Sequence, residues 1–220
     1  MTNIATIKYE LDKTQKIEFF GKPVYKIKAL RDIPSQGVLR GDFGGYVSGY
    51  HNLSQIGDCW ISEDAIVTDF ALVKDNAFVG GSAELTRNCL IMDNAKVWGN
   101  AKITGSVIVA DDCCVADSAK LLGEVAAGES SVICGNARVG GNATIGGYAK
   151  ILGNADISGH SRVCGGAMVC ENAQITDDCL VTGKAIIRNN TKVTGDAEVW
   201  GTAVLEDGRE YGEGSRISVV

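Results

Sequence analysis

An aliphatic residue returns at every sixth position from Ile61 to Leu205, and few folds tolerate so short and long-lived a period. The register runs through Val67, Val73, Val79, Leu85, Ile91 and Val97 to Leu121, and resumes at Ile133 after Ala127. Ala127 is the one place in the register without a large aliphatic. Two residues before each aliphatic stands a small side chain, as in Ala65, Ala71, Ala77, Ala83, Cys89, Ala95 and Ala101. A fixed short repeat is the mark of a solenoid, in which each unit stacks on the next.

The hexad can be written small, variable, aliphatic, variable, Gly/Asp, Asn/Asp/Gly. Strand alternation turns the small and aliphatic residues inward together, since they lie two apart. The last two places hold residues that tolerate positive φ, such as Gly99-Asn100 and Gly153-Asn154. Short strands separated by corners follow. Hexads such as VWGNAK (97–102) and IGGYAK (145–150) resemble the hexapeptide-repeat superfamily. That resemblance implies an all-β left-handed parallel β-helix, three hexads to a coil of about 18 residues, here about eight coils, usually assembled as trimers.

The domain reading is an N-terminal β cap with an irregular first coil (1–58), the β-helix proper (59–207), and a short tail (208–220) that leaves the register and closes or crosses the far end. In the cap, the runs Ile4–Leu11, Gln15–Phe20 and Pro23–Ala29 read as short antiparallel strands that protect an open solenoid end. The segment GDFGGYVSGYHNLSQIGDCWISEDAIV (41–67) resembles YdcK-like proteins and phage or prophage hexapeptide-repeat proteins.

A net charge of -6 gives no reason to expect a nucleic-acid polymer as partner. No stretch has the roughly 20 apolar residues of a membrane helix. The start lacks a charged-then-apolar leader pattern, so the expected compartment is the cytoplasm. Of eight cysteines, Cys59, Cys89, Cys113 and Cys179 fill the small-residue slot, and Cys114, Cys134, Cys164 and Cys170 sit beside the aliphatic position. No CxxC pair or zinc-spaced Cys/His cluster exists, so reduced structural thiols and no metal or other cofactor are expected.

With three hexads per coil, every third hexad shares a wall. The first wall (Val67, Leu85, Ile103) points Glu84, Lys102, Lys120 and Arg138 outward and reads as solvated. The second (Val73, Ile91, Val109) shows Leu72, Leu90, Ile108 and Leu180. The third (Ile61, Val79, Val97) shows Trp60, Phe78, Val132, Met168 and Ile186. Apolar columns on two adjacent walls predict a three-fold packing that buries both.

Lys96, Trp98, Lys150, Arg162, Lys184 and Arg188 lie near those columns, and cations beside an aromatic suit a small anionic, nucleotide-like ligand in an inter-subunit groove. The expected function is a non-catalytic trimeric binding protein, sequestering such a ligand or holding a host partner. Acyltransferases with similar repeats use coenzyme A or acyl carrier protein and a histidine at the subunit interface, which would make His160 the catalytic base. No insertion interrupts residues 61–205 to form the loop those enzymes carry. A purely structural spacer is the third reading. The stacked corner residues Asp75, Asp93, Asp111 and Glu129 raise calcium, against the simpler view that Asp suits a corner.

Overall fold

A computed structural model describes residues 7–219; Ile4, placed above in the first cap strand, lies outside them. The described chain is a parallel β-solenoid with no α-helix among its elements. Residues 18 apart pair in register on each wall: Ile103 with Leu121, Val97 with Val115, Val109 with Ala127. Two nine-stranded sheets form the second and third walls, and the first wall belongs to a twelve-stranded sheet that includes the cap. The stack reaches about ten coils rather than eight, because both ends extend it.

At the far end the tail does not leave the register. Glu210–Tyr211 and Arg216–Val219 pair in parallel with Lys192–Val193 and Glu198–Gly201, continuing the first and second walls. Leu205, Tyr211 and Ile217 keep the six-residue step, with a tyrosine masking the pattern. At the near end, Phe43–Val47 pairs in parallel with Ile66–Val67, and Leu53 bridges to Val73. Those offsets are 67 − 47 = 73 − 53 = 20 residues, two more than elsewhere, and the chain absorbs the excess between Leu53 and Cys59.

The cap is strand β1 (Tyr9–Phe19), strand β2 (Lys22–Ala29) and strand β3 (Phe43–Val47). The two runs expected before Phe20 are one strand, irregular between Asp12 and Lys16. There the Asp12 carboxylate accepts hydrogen bonds from the Thr14 N–H (2.9 Å) and hydroxyl (2.6 Å), which lets the strand kink without ending. β1 and β2 are antiparallel, as expected, and β3 joins them to the first wall.

The core is the predicted one. Ile61, Val97, Leu121, Ile151 and Val199 are buried, with Ala65, Ala101 and Ala149 beside them. At the register's exception the strand exchanges volumes: Val125 fills the small slot and Ala127 the large one, both buried. Interiors respond to total volume more than to which neighbour supplies it. The missing regularity of the first coil is replaced by Asn52, wholly buried, whose amide donates to the carbonyls of Asp69 (3.1 Å) and Ala71 (2.8 Å) while its oxygen accepts from Ser48 and Gly49.

Corners explain the Gly/Asp position. At Gly159 (φ 72°) a Cβ would lie 2.4 Å from the Asp177 carbonyl oxygen, so only glycine fits unstrained. Asp93, Asp111 and Glu129 adopt the same left-handed conformation, with φ between 54° and 57°.

Candidate functional site

Lys96 and Trp98 flank the inward Val97, so strand alternation sends both side chains out of the third wall. They share a hollow of about 270 Å³ with Phe78, Ser35 and Gln36. The Trp98 side is 52 % exposed, which leaves an indole face open beside an ammonium. One rim of the hollow comes from the turn Pro34–Gln36: Ser35 donates to Asp58 (2.8 Å), and the Gln36 amide donates to the Asn76 carbonyl (2.9 Å). The same cap segment corrects one interface residue. Trp60 is 1 % exposed within its own chain, packed into a core that includes Ile27, Ile33 and Val38. It is not available to a neighbour.

The other candidate interface residues point outward as expected. Leu72, Phe78, Leu90, Val132, Met168, Leu180 and Ile186 are half-buried, because side chains stacked in a column cover one another, and Ile108 is 44 % exposed.

Of the six candidate ligand residues, only Lys96 and Trp98 are brought together. Lys150 lies on the same column as Lys96, three coils on. Arg162 lines a separate hollow of about 250 Å³ on the second wall, with Ile108, Ala126 and Thr144. Lys184 is an exposed corner residue, and Arg188 is ion-paired with Glu206, its neighbour one coil on. A single chain therefore does not gather these cations into one site.

His160 stands exposed at a corner, with Nδ1 3.3 Å from a carboxylate oxygen of Asp178. The other histidine, His51, places Nε2 2.6 Å from the Asp69 carbonyl oxygen and takes part in holding the first coil.

The largest hollow, about 490 Å³, lies on the wall expected to be merely solvated. It opens between the β1–β2 turn and the first wall, lined by Phe19, Phe20, Lys22, Arg87, Lys102, Lys120 and Leu122 among others. Lys22 pairs with Asp69 (3.0 Å) and Lys102 with Glu84 (2.8 Å). Arg87 and Lys120 make no ion pair among the described residues. The turn that roofs the hollow sets Phe20 at φ 47° before Gly21 at φ 73°. Asparagine or glycine usually takes such a position, so an aromatic ring there is held out into water at a conformational cost. Spacing alone could not place this turn over a wall some fifty residues on.

The acidic corner stack needs no cation. The Asp93 carboxylate accepts the Asp111 N–H (3.3 Å), and the Asp111 carboxylate accepts the Glu129 N–H (2.8 Å). Each carboxylate so caps the next coil. No group of three or more His, Cys, Asp or Glu is placed to hold a metal among the described residues. All eight cysteines are free, the four slot cysteines buried. No described helix is long and apolar enough to cross a membrane.

Compared with models of known protein families, the chain matches none, and no curated protein matches its sequence.

Proposed function

We propose that this chain is a non-catalytic, homotrimeric β-solenoid binding protein that holds, and so sequesters, a small anionic nucleotide-like ligand in grooves between subunits. The observation that carries the reading is the Lys96–Trp98 hollow: an open indole face for a flat ring, an ammonium for a phosphate, and an apolar column continuing on either side. The apolar columns of the second and third walls support the trimer, since packing one against the other removes both from water. In such a packing a second-wall cation of one subunit, such as Arg162, comes to the third-wall hollow of another.

Native mass spectrometry of the purified protein, with thermal shift across a nucleotide panel, tests this reading. A trimer carrying ligand, and a shift abolished by Trp98→Ala or Lys96→Ala, is the expected result. A shift abolished instead by Arg87→Ala with Lys120→Ala moves the site to the first-wall hollow. A bare protein with no shift ends the ligand reading and leaves a host protein as the occupant to seek.

One observation favours a second reading, a coenzyme A-dependent acyltransferase. The Asp178 carboxylate beside His160 Nδ1 would orient the ring and leave Nε2 as a base. Coenzyme A binding, and turnover lost in His160→Ala at unchanged Tm, would establish it.

A further inference from the structure

Lys8 is wholly buried, a rare state for a lysine, and no carboxylate lies within ion-pair distance of it among the described residues. It precedes β1 and plugs the near end of the solenoid with Tyr9. The Gln55 side chain accepts from both backbone N–H groups, and the Tyr9 hydroxyl donates to the Leu53 carbonyl (2.7 Å). The Lys8 amine reaches past the plug to Cys59. Nζ lies 2.9 Å from the Cys59 carbonyl oxygen, 3.4 Å from that of Gly57, and 3.0 Å from Cys59 Sγ.

Cys59 is itself wholly buried, in the slot that alanine fills in most other hexads. The plug needs neither group: a methionine and an alanine would close the same end without taking an amine out of water. Burial holds the Lys8 amine below its ordinary value and pushes the Cys59 thiol above its own, so the pair favours neutral amine beside neutral thiol. An uncharged amine is a nucleophile, and this one sits against a sulfur.

We propose that Lys8 and Cys59 form a redox modification site, in which a peroxide joins the two side chains through a single oxygen as a reversible N–O–S bridge. One amine, one thiol and two hydrogen peroxide molecules yield the bridge and three waters. The S–H bond and one N–H bond break, N–O and O–S bonds form, and one peroxide oxygen remains as the bridge. Nitrogen and sulfur together give up four electrons, which the two O–O bonds accept as they split. Two equivalents of a dithiol return those electrons and restore amine, thiol and one water. A gap of 3.0 Å suits an inserted oxygen better than a direct N–S bond, which would draw the plug and the first coil much closer together. Peroxide reaches the pair by local opening of the cap end. The other buried slot cysteines, Cys89, Cys113 and Cys179, have no amine partner among the described residues and lack this chemistry.

The test is a peptide map of the full chain. The outward cysteines are first alkylated under native conditions, and the protein is then treated with hydrogen peroxide and digested with trypsin. A modified Lys8 resists cleavage, so the product expected is Met1–Lys13 joined to Gly41–Lys74, whose one cysteine is Cys59. Its mass should exceed the sum of the two peptides by about 14 Da, one oxygen less two hydrogens, and dithiothreitol should release both unmodified. The oxidised protein should melt higher than the reduced one, and the difference should vanish in Lys8→Met. Cys59 carried to sulfinic or sulfonic acid without the joined peptide overturns the proposal. So does a Cys59 that stays a free thiol while Lys8 is cleaved normally. The wild-type map decides the matter even if Lys8→Met fails to fold.

Discussion

The backbone N–H of Glu129 donates to the carboxylate of Asp111, one coil earlier, at 2.8 Å, and both residues occupy left-handed corners. The same pairing recurs from Gly135 to Asp117 and from Gly195 to Asp177. An acidic corner residue thus offsets its positive φ by satisfying the coil that follows. Asp111→Ala should cost about 1 kcal/mol, losing the acceptor while keeping a Cβ at positive φ. Asp111→Gly loses the same bond but relieves the backbone, and should cost less. Urea melts giving glycine the larger loss would refute this division.

Asn52 makes four hydrogen bonds inside the irregular first coil. Asn52→Leu keeps the volume but strands the carbonyls of Asp69 and Ala71, at a cost of about 2–3 kcal/mol. The loss should fall on the cap end. Hydrogen exchange should quicken around Leu53 and Val73 and stay slow around Val169, whose coil does not touch the defect.

Ile151 is wholly buried at mid-stack. Ile151→Asp places an unpaired carboxylate between two coils and should cost more than about 4 kcal/mol, enough to unfold the centre of the solenoid. Circular dichroism showing native sheet content at ordinary temperature would count against the assigned register.

Two carboxylates tie the cap to the solenoid. The Ser35 hydroxyl, with Arg31 adding to it, holds Asp58 below the usual carboxylate range, and Lys22 with the Arg87 N–H does the same for Asp69. A depressed folded-state value gives stabilisation that is present above the unfolded pKa and is lost as pH falls through the folded one. Tm should therefore drop as the solution is taken below about pH 4, and Asp58→Asn with Asp69→Asn should flatten that limb. Matching acid limbs in the two proteins would show that these groups are not linked to folding.

Leu90→Glu with Ile108→Lys alters side chains that point away from the core. The pair should leave the melting of a single chain little changed and convert trimer to monomer in light scattering, whereas Lys102→Glu on the first wall should leave the assembly intact. A monomeric wild-type protein would remove the three-fold packing.

The hexad was sufficient for the coil, the wall assignment and nearly the whole core, because each depends on neighbours two, six or 18 residues apart. It also placed Lys96 and Trp98 on one outward face. Where a residue broke the pattern the sequence misled: Tyr211 hid the coil at the far end, and the offset of 20 hid the coil at the near end. Three features belong to the tertiary structure alone: Trp60 covered by the cap, the Phe20 turn roofing the first wall, and Lys8 against Cys59. Each joins segments far apart in the chain, and the two-residue insertion before Cys59 decides how the cap lands on the solenoid. A period describes residues that repeat; the cap does not repeat, so only packing could say what it touches.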